Sequence, residues 1–333
     1  MRKPGAQTIF LGSVIAGVLV LTIYLSVSRS NGQAGNRRGA VSSLTLRDIP
    51  FNGERSFQYL KDLCELGPRP SGSAAMARQQ RLLNEHFTRL GGRVSMQQFD
   101  TRHPLDGSRV TMSNVIVEWH PQRNERILLC AHYDTRPYPD EDPRRPRGIF
   151  IGANDGASGT ALLMELAHHM PDLESRFGVD FVLFDGEEFV FDNRRDPYFL
   201  GSEYFAKSYV AQPPAYRYRY GVLLDMVADA HLEIYMERNS VRYARALVDQ
   251  IWETARTLGV RDFIPRIRHE IRDDHLALNL IAGIPSCDII DFDYPRPVGP
   301  SYWHTEADTP ENCSALSLAK VGWVVHEWLR RAD

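Results

Sequence analysis

Six short runs, at residues 114–119, 126–131, 179–184, 221–226, 232–236 and 285–290, are apolar along most of their length and not merely on alternate residues. A strand of that kind must be covered on both faces. Between and beyond them, residues 73–90, 159–169, 241–258, 274–281 and 316–330 carry apolar side chains three or four apart, the spacing that puts one apolar stripe on a helix. Doubly covered strands interleaved with helices predict a largely parallel sheet between two helical layers, an α/β/α fold. The 333 residues suffice for one large domain of this type, and no internal repeat interrupts the pattern.

A sheet built this way keeps its chemistry in the loops beyond the carboxyl ends of its strands. The polar residues fall there. His132 and Asp134 follow the run ending at Ala131, Glu187 and Glu188 follow the one ending at Phe184, Asp225 closes another, and Asp288 and His304 come with and after the last. Four strand ends thus converge on one rim.

Basic residues number 39 against 42 acidic, so the chain lacks the broad positive field that recruits phosphate backbones, and nucleic acid is excluded as a partner class. Cys64, Cys130, Cys287 and Cys313 are too scattered for a zinc knuckle or a redox dithiol and read as small buried apolar side chains. Their even number leaves room for disulfides in an oxidising compartment. Residues 8–27 carry no charge over a length that would cross a bilayer, behind a basic segment at 1–7 with Arg2 and Lys3. They are expected to be a transmembrane anchor, or a cleaved signal segment, which would leave the following domain membrane-anchored and extracytoplasmic, or secreted. Residues 28–50 read as a flexible linker, and 51–333 as the catalytic domain.

Zinc favours a few His, Asp, Glu or Cys ligands, and a catalytic site keeps one position open. Asp155 lies in the small-residue stretch Gly152-Ala153-Asn154-Asp155-Gly156-Ala157-Ser158-Gly159, where a metal can come close to the backbone. Alone it would equally serve as a helix-capping turn residue. In Phe184-Asp185-Gly186-Glu187-Glu188 adjacent carboxylates of an extended stretch point to opposite sides, so one can bind a metal while its neighbour meets the substrate. His304, in Tyr302-Trp303-His304-Thr305-Glu306-Ala307-Asp308-Thr309, has Thr305 and Asp308 nearby as candidate supporting hydrogen-bond partners. Each element has an ordinary structural explanation. Their joint occurrence, in this order and at strand ends, points to a metal site of Asp155, Glu188 and His304.

The ordered set AHYDT, GANDGASG, FDGEE, LGS, LLDMV, DDH and WHTEADT resembles the superfamily of zinc aminopeptidases and animal-type glutaminyl-peptide cyclotransferases, from Phe51 to the last residue. The resemblance implies a three-layer sandwich with a mixed, mostly parallel central sheet. It also implies an enzyme acting on the N-termini of peptides or proteins, with Zn2+ on Asp155, Glu188 and His304. In the aminopeptidase branch two zinc ions are the rule, and His132 and Asp225 would help hold the second; the cyclase branch keeps these residues but binds one.

Three features resemble the cyclase branch: the segment from Glu188 to Gly201, the Asp273-Asp274-His275 triplet, and Trp303 directly before the His ligand. The expected reaction turns an N-terminal glutamine into pyroglutamate with loss of ammonia. Glu187 would shuttle the proton, with Asp225 and Asp273 as neighbouring acids that raise its pKa, while Trp303, Ile271 and His275 would contact substrate. The chain departs from the animal pattern at Asp288, where a His is expected, and near Asn193, where a Trp is expected. The alternatives are a di-zinc aminopeptidase, and an ectodomain that has kept the fold without catalysis; the latter should have lost ligands that are all present here.

Overall fold

The computed structural model describes residues 42–296 and 298–332, so the expected membrane segment at 8–27 lies outside the described residues. Among the described residues no helix is long and apolar enough to cross a membrane. The helices are α1 (Gly53–Glu65), α2 (Ala74–Arg89), α3 (Ala157–Leu166), α4 (Leu200–Ala211), α5 (Arg238–Leu258), α6 (His275–Leu280) and α7 (Ala315–Arg331). The strands are β1 (Arg93–Arg102), β2 (Arg109–Trp119), β3 (Glu125–His132), β4 (Gly178–Phe184), β5 (Arg217–Asp225), β6 (Ile234–Glu237), β7 (Phe263–Arg268) and β8 (Ser286–Ile290).

Six strands form one mixed sheet in the order β1-β2-β4-β3-β5-β8. The last four run parallel, while β1 and β2 pair antiparallel at one edge. The expected mixed, mostly parallel α/β sandwich is therefore present. All seven residues of β4 are buried, as a strand covered on two faces requires. β6 and β7 make a separate parallel pair. All four cysteines are free and buried, so the room left for disulfides is not used. Leu44 and Leu46 pack against the core and Ile49 is buried, so the chain is already anchored ahead of Phe51.

Two glycines bring the site together. A Cβ on Gly159 would collide with the carbonyl of Leu224, so only glycine lets α3 lie this close to β5. Gly156, at the N-cap of α3, has φ of 101°, a conformation that turns the chain from the Asp155 loop into the helix. All ten residues of α3 are buried, which fixes the loop ahead of it.

Candidate metal centre and active site

At the carboxyl ends of β3, β4 and β5 the strands deliver their polar residues to one place. His132 is the last residue of β3, Asp225 the last of β5, and Glu187 and Glu188 follow β4. Asp155 arrives from the loop before α3, and His304 from the loop between β8 and α7, with φ of 55°.

Asp155, Glu188 and His304 form one group whose ligand atoms all lie within 4.8 Å of one another, and all three residues are buried. His304 Nε2 is 3.2 Å from Glu188 Oε1 and 3.4 Å from Asp155 Oδ2. His304 Nε2 and Asp155 Oδ2 have no hydrogen-bond partner, although both are buried. Buried polar atoms that converge without partners cost stability unless something else satisfies them. These residues fit a small divalent cation, and their mixed N and O donors suit zinc. His132, Asp155 and Asp225 form a second such group; His132 Nε2 lies 3.2 Å from an oxygen of each carboxylate.

Supporting contacts hold these residues in place. Asp308 accepts hydrogen bonds from the backbone N–H of Asn154 (2.7 Å) and Asp155 (3.1 Å), and from Tyr294 OH (3.0 Å). It thus positions Asp155 and not, as its place in the sequence suggested, the neighbouring His304. Thr305 likewise does not support His304, its hydroxyl donating to the carbonyl of Tyr302 at 2.8 Å. His304 is backed instead by the Trp303 ring, stacked at a centroid distance of 3.7 Å. Asp134 accepts from the backbone N–H of Glu187 (3.2 Å) and Glu188 (3.0 Å), fixing the turn that sends these carboxylates apart.

At the group of Asp155, Glu188 and His304 is a cavity of about 240 Å³ whose lining includes the acids Glu187, Asp225 and Asp273 and the apolar Ile271, Phe292 and Trp303. Burial, then the charges of Glu188 and Asp273, hold the Glu187 carboxyl well above the usual range, with His132 pulling the other way. Asp273 is raised well above its usual range by burial and then by Asp225. Burial acts to raise Glu188 too, but His304 and Arg136 outweigh it and leave that carboxyl lowered. Neighbouring glutamates thus have opposite tendencies: one keeps its charge, the other readily takes a proton.

Two expectations about the rim change. His275 does not line the cavity: it is fully buried, 3.4 Å from Glu237 Oε2, at the start of α6. Asp288 is fully buried with neither carboxylate oxygen hydrogen-bonded, raised by burial and by the charges of Asp273 and Asp225. The residue missed from the sequence is Arg136, which lines the cavity and donates to Glu188 Oε2 at 2.8 Å. The one available signal was its place directly after AHYDT, beside His132 and Asp134.

Comparison with known proteins agrees with this geometry. The family model for Peptidase family M28 matches residues 114–329. A crystal structure of Fimbriiglobus ruber glutaminyl cyclase superposes with a TM-score of 0.81 at 39% identity, covering 90% of this chain and 100% of that one. A Zn-dependent exopeptidase from Parabacteroides distasonis gives a TM-score of 0.78 at 34% identity, covering 85% of this chain and 99% of that one. Glutaminyl-peptide cyclotransferase of Gloydius blomhoffii is 27% identical over 61% of this chain, and the match spans 60% of that protein's length. With a family model that covers most of the sheet and every candidate ligand, the chain belongs to Peptidase family M28.

Proposed function

We propose that the protein is a zinc-dependent glutaminyl-peptide cyclotransferase that converts an N-terminal glutamine of peptides or proteins to pyroglutamate and releases ammonia. The observation that carries this reading is the small cavity at the metal group, lined by the acids Glu187, Asp225 and Asp273 together with the apolar Ile271 and Trp303. Asp273 is raised well above its usual range by burial and then by the charge of Asp225, so it tends to take up a proton. In this reading one zinc is held by Asp155, Glu188 and His304, and Asp225 stays a neighbouring acid of Glu187. The likeness to glutaminyl cyclase along the whole of the Fimbriiglobus ruber chain supports the same choice.

Zinc at this position would polarise the side-chain amide carbonyl of the substrate and stabilise the negative charge that develops on its oxygen. The reaction forms a bond from the α-amine nitrogen to that carbonyl carbon and breaks the bond to the amide nitrogen. Glu187 takes the proton from the attacking amine and returns it to the departing nitrogen, which leaves as ammonia. A carboxyl whose pKa is raised by burial suits both steps. Trp303 and Ile271 wall the small side chain and hold it folded toward the amine, so proximity supplies much of the acceleration.

A di-zinc aminopeptidase is the second reading, favoured by the group His132, Asp155 and Asp225 and by the likeness to the exopeptidase. Incubating the full chain with Gln-initiated peptides and following mass distinguishes the two. Loss of ammonia with the peptide otherwise intact supports cyclisation; release of the first amino acid supports hydrolysis. Metal content of one or two zinc ions per chain provides the independent check. The anchor expected at residues 8–27 would place this activity outside the cytoplasm, on N-termini of exported peptides.

A further inference from the structure

Arg136 is 1% exposed and takes no part in the chemistry above. One edge of its guanidinium donates to Glu188 Oε2, the oxygen turned away from His304. Its Nε donates to Asp140 Oδ1 at 2.6 Å and its Nη2 to Asp140 Oδ2 at 3.2 Å, and Asp140 Oδ1 is in turn 3.5 Å from His304 Nδ1. Asp140 offsets the charge of the guanidinium, so a cation bound nearby is not simply repelled. The same Nη2 also reaches Asn193 Oδ1 and Tyr198 OH, the latter at 3.4 Å. Asn193 closes the circuit by donating to Asp140 Oδ2 at 2.7 Å. Where a tryptophan was expected, the segment after Glu188 thus carries an amide that ties it to the ion pair under the metal ligands.

We propose that Arg136 is a positioning residue that couples occupancy of the metal site to the order of the segment at 189–199, through Glu188 and Asp140 on one side and Asn193 and Tyr198 on the other. The inference rests on a metal at Asp155, Glu188 and His304, and not on whether the enzyme cyclises or hydrolyses. A carboxylate held by a metal through one oxygen presents the other to Arg136 in one orientation. A carboxylate without that restraint turns among its acidic neighbours, and the guanidinium loses its fixed partner. Linkage is reciprocal, so a segment pinned at Asn193 and Tyr198 also strengthens metal binding.

The segment carries its own reporter, because Arg194 and Arg195 are exposed and are trypsin sites. Limited trypsin digestion of the full chain, with zinc or with a chelator, is followed by mass at these two bonds, with cleavage after the exposed Arg109 as the control for global stability. Zinc is expected to slow cleavage after Arg194 and Arg195 by roughly tenfold in the wild type, within the usual range of coupling between sites. Cleavage after Arg109 should change much less. R136K and N193A should still bind zinc and lose most of that protection. N193A touches no ligand and guards against a misfolded R136K. Full zinc-dependent protection in both variants, or zinc binding in the wild type without any protection, overturns the coupling. A wild type that binds no zinc at all overturns the metal site on which the inference rests, which is a separate result.

Discussion

Strand β3 has a buried charged residue near each end, and the two surroundings are opposites. At the start, Arg126 and Asp180 are both fully buried. Arg126 also donates to the carbonyls of His120 (3.0 Å), Arg123 (3.2 Å) and Trp119 (2.9 Å), and Asp180 accepts from Tyr218 OH at 2.7 Å. No polar side-chain atom of Arg126 or Asp180 is left without a partner. At the other end His132 meets Asp155 and Asp225, with His132 Nδ1, Asp155 Oδ2 and both ring nitrogens of His304 unpaired. Burial is the same at both ends; satisfaction is not. A closed network holds a fold together, whereas an open one keeps donor capacity for something that arrives from outside.

The contrast can be broken from either end. E187Q should lower turnover by about 10²- to 10⁴-fold, the contribution of a positioned general base, while leaving bound zinc unchanged. Zinc content and single-turnover assays check this, and near wild-type turnover would remove Glu187 from the reaction. R126M should leave zinc affinity unaltered but cost about 3–5 kcal/mol of stability, because it strands the buried Asp180 charge. Denaturant unfolding measures it; a loss of metal affinity with stability intact would show that the two ends are not separate.

The smallest effect near pH 4 belongs to D288N. Asp288 is raised in the folded protein, so its contribution is fully present below its unfolded pKa of about 4 and is lost as pH rises through the folded value. The variant should match the wild type within about 1 kcal/mol at pH 4 and gain on it steadily toward pH 8. Parallel stability curves would mean that Asp288 keeps its charge and has an unseen partner.

The central strands were legible because burial on both faces writes itself as unbroken apolar runs, and the clustering of Asp155, Glu188 and His304 because each lies in a short distinctive motif. β1 was missed for the opposite reason: as an edge strand with no fully buried position, its sequence RVSMQQFDTR shows no apolar run. β7 has Pro265 in its middle, which argues against a strand unless it lies at an edge, as it does in the two-stranded pair with β6. α1 was passed over because its charged residues sit among apolar ones, although Leu60 and Leu63 are fully buried. Arg136 escaped notice because an arginine in a loop normally faces water, and only the fold shows that Glu188, Asp140 and Asn193 surround it. The role of Asp308 was misplaced for a related reason: proximity in sequence pointed to His304, while the chain folds it onto the backbone of Asp155.

That contact between Asp308 and Asp155 joins positions 153 residues apart. A ribosome releases the chain from its amino end, so the Asp155 loop, β3 and β4 are all made well before Asp308 and His304 exist. Until that late segment docks, Asp155 lacks the acceptor for its backbone N–H, and the ligand set lacks its imidazole. Completion of the candidate metal centre therefore belongs to the final stage of biogenesis, and a chain truncated ahead of His304 would be expected to carry the strands of its sheet but not the full group of candidate ligands.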